Sequence, residues 1–242
     1  MAAVRSLVTY ILVSLYVLIV GPIGMLFVLF FRAKGLLYEL GHAGVALALG
    51  LAGIRYAVVG REHVPRKGAV VFCSNHQSNV DPPVLFEALH RRLHVLYKAE
   101  LSQLPVLGRV LQLGGFIPVP RENREEAFRA IERAAESVRA GNSFLIFPEG
   151  TRSRTDQLLP FKKGGFFMAL HAQAPIVPVA VMGGRDSMRK GSWVVRPVLV
   201  TVRIGEPIET AGMTDDDRDR LIAMVRERIE AMLRLGPVNS SP

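Results

Sequence analysis

The chain opens with an unbroken apolar run and then changes rhythm. Residues 6–31 carry no charged side chain, and Arg5 and Arg32 bracket them. As a helix, about 26 residues reach about 39 Å, longer than the roughly 30 Å hydrocarbon core of a bilayer. Gly21-Pro22-Ile23-Gly24 interrupts the run. A proline there deletes a backbone donor, which favours a kink or a break. Two placements fit: a span kinked at Pro22, or insertion into one leaflet and return. The run is long for a secretory signal, and no small-residue cleavage pattern closes it. A second stretch, 35–54, is rich in Leu, Ala and Gly but carries Glu39 and His42. Charge near one end suits an interfacial or hairpin helix better than a clean span, with a buried core helix as the alternative. Residues 1–54 therefore read as a two-helix membrane anchor. Arg32, Lys34, Arg55, Arg61 and Arg66 flank it, which by the positive-inside rule places the remainder of the chain on the cytoplasmic side.

Beyond residue 54 the pattern becomes short apolar runs alternating with helical spacing. Strands are expected over 54–60, 69–73, 93–97, 143–147, 176–181 and 198–204. Helices are expected from Pro82, over 124–140, over 164–173 and over 214–235. Asp81 suits the N-cap of the first and Pro82 its N1 position, where no amide donor is needed. In the second, Ala127, Ile131, Ala134, Ala135 and Val138 fall near helical spacing and Gly141 stops it. Thr214 and Asp217 are placed for a capping box at the last. Strand–helix alternation predicts an α/β fold, a mixed, largely parallel sheet flanked by helices, over residues 55–235. Residues 236–242 read as a loose tail.

Composition narrows the partners. Half of the 242 residues are apolar and the formal net charge is +9. A basic surface attracts nucleic acid, anionic lipid or acidic substrates alike. The apolar N-terminus favours an anionic membrane, and no nucleic-acid-binding motif is visible. Cys73 is the sole cysteine. It sits in an apolar run, so it reads as an inert core thiol, with no disulfide and no metal site in prospect.

Two polar clusters carry the chemistry. The first is Asn75-His76-Gln77-Ser78-Asn79-Val80-Asp81 at the mouth of an apolar strand. Five residues on one helix do not share a face. If His76 lies in the loop before the helix, however, the chain can fold it back beside Asp81. The carboxylate then orients the imidazole, whose free nitrogen can take a proton from an alcohol. The alternative is that Asp81 only caps a helix. Ser74 and Ser78 lie close by, but there is no Gly-x-Ser-x-Gly elbow, so direct attack by a substrate hydroxyl is simpler than an acyl-enzyme. The second cluster, Phe147-Pro148-Glu149-Gly150-Thr151-Arg152-Ser153-Arg154, comes after a strand, where α/β folds place ligands. Gly150 permits close backbone approach, Thr151 offers a hydroxyl, and Arg152 can grip a phosphate through two donors. Its alternative is a polar turn with a surface arginine.

These residues resemble the glycerolipid acyltransferase family, in particular its 1-acylglycerol-3-phosphate acyltransferases. Besides the two clusters, Gly115-Phe116-Ile117-Pro118-Val119-Pro120-Arg121 and Ile176-Val177-Pro178-Val179-Ala180-Val181 resemble the family's second and fourth blocks. Tyr97-Lys98-Ala99-Glu100-Leu101 and Phe161-Lys162-Lys163-Gly164 are near matches between them. Pro120 stands where the family commonly has an acidic residue. The resemblance implies that His76 deprotonates the acceptor hydroxyl and Asp81 orients it, without an acyl-enzyme. It implies that Lys98, Arg121 and Arg152 hold the acceptor phosphate and that Glu149, Gly150 and Thr151 line its pocket. Amides at the helix start near Pro82 are the expected oxyanion donors. The donor is an acyl-CoA or acyl carrier protein, the product phosphatidic acid, and no metal or bound cofactor is implied. Glycerol 3-phosphate or another lysophospholipid is an alternative acceptor. A non-catalytic membrane lipid-binding protein is an alternative of a different class.

Overall fold

The structure is a computed structural model that describes residues 1–89, 92–120 and 122–238. Its first two helices, α1 (Ala2–Phe31) and α2 (Lys34–Ala52), form an antiparallel hairpin. The turn falls at Arg32, in the left-handed conformation, and Ala33. Pro22 does not break α1, which runs through it. Losing one donor in a helix of this length is tolerable where the neighbouring turns and α2 hold the segment. Tyr16 donates its hydroxyl to the carbonyl of Leu40 across the hairpin (2.8 Å). Most of the large apolar side chains of α1 face outward, Leu29, Phe30 and Phe31 each more than two thirds exposed.

The hairpin is docked on the rest of the chain. Ser6 exchanges hydrogen bonds with the backbone of Val195, donating at 3.2 Å and accepting at 2.8 Å. Tyr10 donates to the carbonyl of Trp193 (2.7 Å). On α2, His42 bonds Glu87 (2.7 Å) and stacks on Phe86, both on the helix α3 (Asp81–Ala88).

The sheet has seven strands: β1 (Ile54–Val59), β2 (Val71–Ser74), β3 (Leu93–Lys98), β4 (Ile117–Val119), β5 (Ser143–Ile146), β6 (Ile176–Met182) and β7 (Val198–Ile204). Their spatial order is β1-β7-β6-β2-β5-β3-β4. From β6 to β4 all neighbours are parallel; β7 is antiparallel to β6 and carries β1 parallel to itself. The expected mixed, largely parallel sheet is therefore present. β4 and the helix α4 (Pro105–Leu113) were not read from the pattern. Pro105 at N1 and the spaced Val106, Val110 and Leu111 were the available signal for α4.

Alternation along the central strands sorts the core into two layers. Phe72, Leu145, Val177, Val179 and Val181 pack with Val84 and Leu85 of α3 on one face. Val71, Cys73, Phe144, Ile146 and Ala180 pack on the other. That second face is covered by α5 (Arg124–Arg139), α6 (Gly164–Ala172) and α8 (Arg218–Arg234). Asn123 caps α5 by accepting from Glu125 and Glu126, and the Thr214–Asp217 capping box forms in the turn leading into α8. Cys73 is fully buried, and burial, with the nearby Glu149, pushes its thiol pKa up. It is a core residue.

Candidate active site

Because β6, β2, β5, β3 and β4 run the same way, their C-terminal ends share one edge of the sheet. His76 comes just after β2, the second strand of this set and its most central one in the whole sheet. Nδ1 of His76 lies 3.0 Å from Oδ2 of Asp81. A carboxylate oxygen only accepts, so Nδ1 carries the proton and Nε2 presents a lone pair. Asp81 is fully buried and the His76 side chain is about one-sixth exposed, so the acid is sealed while the base reaches the surface.

Asp81 does not cap its own helix. Its Oδ2 accepts from the backbone amides of Gln77 and Ser78 (2.7 Å each) as well as from His76. The carboxylate thus folds the 76–80 loop around itself and presents His76. Val80 stands at the cap position instead, and Asp81 is the first helical residue. Four of the amides at the helix start are thereby engaged and are not available as oxyanion donors. The amides of Gln77 and Ser78 go to Asp81, and those of Val80 and Asp81 go to the hydroxyl and carbonyl of Ser78.

The second cluster clamps His76 on three sides. Glu149 accepts the His76 amide (2.7 Å), and Ser153 donates its own amide to the His76 carbonyl (2.8 Å). The Phe147 ring stacks on the imidazole, with centroids 4.2 Å apart. The other oxygen of Glu149 accepts from Leu159 (2.9 Å). Both oxygens of this buried carboxylate are therefore engaged with backbone, and Glu149 holds the His76 backbone in place. Burial raises its pKa, and the two backbone bonds oppose that rise. Gly150 adopts a φ of +65°, and the side chain of Lys162 lies over it. That places Lys162, overlooked as a site residue, beside the cluster.

The cations divide. Arg152 is half-buried and has no carboxylate partner among the described residues. Thr151 accepts a bond from Lys190 (2.9 Å). Lys98 sits at the end of β3, half exposed, paired with Glu100 at 2.8 Å. Arg121 lies outside the described residues.

Three more groups position the dyad, of which Asn75 and Gly184 had been given no role. Asn75 makes two bonds to the backbone of Val181 (2.9 and 2.7 Å), extending the β2–β6 pairing by a side chain where the strand turns away. Ser78 donates to the carbonyl of Met188 (2.8 Å). Gly184 packs so tightly on Asp81 that a Cβ there would overlap Oδ1. None has a periodic signal; Asn75 and Ser78 adjoin His76 in the sequence, but only the fold supplies their partners and brings Gly184 to Asp81.

A family model described as acyltransferase matches residues 55–182, which contain the dyad and its clamp and make up more than half of the chain. The chain belongs to this acyltransferase family. It is 34% identical over 188 residues to a 1-acyl-sn-glycerol-3-phosphate acyltransferase of Limnanthes douglasii, covering 77% of this chain and 66% of the relative. It is 33% identical over 186 residues to the alpha form from Mus musculus, covering 76% and 65%. The match thus spans just under two thirds of the length of these curated relatives. A solved structure, the 1-acyl-sn-glycerophosphate acyltransferase of Thermotoga maritima, superposes with a TM-score of 0.84 over 99% of this chain and 98% of its own. At 23% identity that likeness establishes the shared fold, including the two N-terminal helices.

Proposed function

We propose that the protein moves a fatty acyl group from an acyl thioester to the 2-hydroxyl of 1-acylglycerol 3-phosphate, giving phosphatidic acid. The observation that carries this is the His76–Asp81 pair, its carboxylate sealed and its imidazole partly exposed, held by the 147–154 cluster whose Arg152 has no carboxylate partner among the described residues. The relatives' names supply the acceptor. Nε2 takes the proton of the acceptor hydroxyl as its oxygen attacks the thioester carbonyl. Asp81, at 3.0 Å from Nδ1, stabilises the imidazolium that forms. Collapse of the tetrahedral intermediate breaks the carbon–sulfur bond, and the proton on Nε2 passes to the leaving thiolate. Arg152 holds the acceptor phosphate, joined by Lys98 at the end of β3 and by Arg121. The donor is an acyl-CoA or acyl carrier protein thioester.

The acceptor lives in a bilayer, and the hairpin suits that. Ser6 and Gly21 of α1 are about 22 Å apart along the helix, yet both touch the sheet domain. Ser6 bonds Val195, and a Cβ at Gly21 would come 2.8 Å from Val106. Over this length α1 runs along the domain. This supports a hairpin lying in one leaflet, with the domain on the cytoplasmic side and the site at the lipid surface.

The test is thiol release from palmitoyl-CoA in mixed micelles, with lysophosphatidate, glycerol 3-phosphate or lysophosphatidylethanolamine as acceptor, beside His76→Ala. Release with lysophosphatidate, reduced by about 10²–10⁴ in the variant, supports the reading. Turnover that survives the substitution refutes the mechanism. Lipid binding without turnover on any CoA or carrier-protein donor leaves a binding protein.

A further inference from the structure

The dyad is held from two sides by unequal means. On one side β6 and the short turn α7 (Gly184–Ser187) reach it directly, with Gly184 against Asp81. On the other side much of the hold passes through one carboxylate. Glu149 accepts the His76 amide through Oε1 and the Leu159 amide through Oε2. How firmly Glu149 sets His76 therefore depends on what fixes Leu159. Leu159 lies between β5 and α6 in a strap, residues 155–163, that forms neither helix nor strand. No ladder pins the backbone of such a segment, so side chains must do it.

The pin comes from α8. Arg226 donates from Nη2 to the carbonyl of Leu158 (3.1 Å) and from Nη1 to the carbonyl of Leu159 (2.9 Å). Its Nε bonds Glu230 one turn further on (2.9 Å), and its guanidinium lies over the Phe161 ring at 5.3 Å. The Leu158 carbonyl and the Leu159 amide are the two ends of one peptide group. That group is planar, and its C=O and N–H point opposite ways. Arg226 thus grips one end of the peptide whose other end is donated to Glu149. A cation on the carbonyl polarises the group and strengthens the bond made by its N–H. The order is guanidinium, peptide, carboxylate, His76 amide: an ion pair with a peptide between its partners. Burial raises the Glu149 pKa, and the positive charge of Arg226 is among the influences that oppose the rise. Two successive carbonyls call for a rigid fork of donors, which arginine has and lysine lacks.

We propose that Arg226 is a positioning residue for acyl transfer, setting His76 through the Leu158–Leu159 peptide and Glu149. This rests on the transferase reading and adds to it a side chain from α8, beyond the residues 55–182 that the family model matches. Arg226 acts through Glu149 and is not a catalytic residue.

The experiment uses the full chain in mixed micelles with Arg226→Leu, Arg226→Lys, Glu149→Gln, and Arg226→Leu combined with Glu149→Gln. Thiol release from palmitoyl-CoA with lysophosphatidate gives kcat and both KM values, and thermal melting confirms folding. Hydrogen exchange of peptides covering 74–80 and 154–163 reads the relay without turnover. Arg226→Leu is expected to lower kcat by about ten- to a hundredfold with both KM values within about twofold. Exchange should quicken about tenfold in both peptides. Arg226→Lys keeps the charge and one donor, so it should recover part of the loss, and it stands in should the Leu variant fail to fold. On the Glu149→Gln background, Arg226→Leu should cost no more than about a further threefold, because the link it serves is already impaired. Full additivity of the two losses overturns the proposal. So does a raised KM with kcat unchanged, or faster exchange confined to 154–163, which would make Arg226 a local brace. Wild type that transfers acyl groups to no acceptor refutes the transferase reading, and the exchange rates at 74–80 still decide the relay.

Discussion

Replacing Asp81 by Asn separates the charge of the buried carboxylate from its scaffolding. Oδ2 accepts from two backbone amides and from Nδ1 of His76. In the variant those two amides require an oxygen, so they select the amide orientation that keeps the carbonyl at the Oδ2 position. The NH₂ group then takes the place of Oδ1, which has no hydrogen-bond partner among the described residues. The loop fold and the His76 tautomer are retained, and the negative charge facing the imidazolium is lost. At an effective dielectric near 20, unit charges about 4 Å apart attract by about 4 kcal/mol, an upper figure for this contact. Allowing for partial charge development in the transition state, the expected loss is about 10²–10³ in kcat, with little change in KM for either substrate. Asp81→Ala is the wrong variant: it orphans three donors at about 1–3 kcal/mol each and tests folding instead. The assay is steady-state thiol release across pH 6–9, with thermal melting in parallel. Melting within a few degrees of wild type with activity down at least a hundredfold supports the argument. A loss under about tenfold would show that the carboxylate acts only as a scaffold, and the charge-stabilisation step would be wrong.

The same geometry fixes three further outcomes. Gly184→Ala forces a Cβ onto Oδ1 of Asp81; kcat should fall at least tenfold with a stability loss of about 1–3 kcal/mol, and an unperturbed enzyme would show that β6 does not fix the dyad. Glu149→Gln should cost about 1–3 kcal/mol, because one of its two backbone donors then faces an NH₂. Its pH dependence carries a sign. Burial raises the Glu149 pKa above 4.5, so the folded state holds that proton longer than the unfolded chain does. The wild-type advantage over the Gln variant should therefore shrink as pH climbs from 4.5 toward the folded value; melting curves in which it grows would mean that the amide bonds outweigh burial. Phe30→Glu with Phe31→Glu, both more than 70% exposed, should weaken flotation with anionic vesicles without lowering the melting temperature, and undiminished flotation would move the lipid-binding face elsewhere.

Most of the fold was legible because its signals are local. The apolar run before Arg32, the buried strands around Phe72 and Val179, and the capping box at Thr214 each depend on residues close in the chain. The dyad was legible for the same reason: His76 and Asp81 lie in one loop and the first turn of its helix. The unbroken course of α1 through Pro22 was not, because the proline signals a break that packing against α2 overrides. Nor were the working partners of Glu149. Its acidic side chain at a strand end reads as a lining group, and only the strand order shows that the amides of His76 and Leu159 meet it first. Gly184 was invisible in the same way, since it reaches Asp81 through β6, a neighbour of β2 that comes about 100 residues later in the chain.

The parallel arrangement has a mechanistic consequence. A base raised on a loop is worth little unless its backbone is held, because about 1 Å of misplacement can cost a hundredfold in rate. Here each strand flanking β2 supplies part of the restraint at the same sheet edge. β5 leads to Phe147, Glu149 and Ser153, which hold the ring, amide and carbonyl of His76. β6 supplies Val181 to Asn75 and leads to Gly184 and Met188, which contact Asp81 and Ser78. An antiparallel neighbour would send its connecting loop to the opposite edge and leave one flank open.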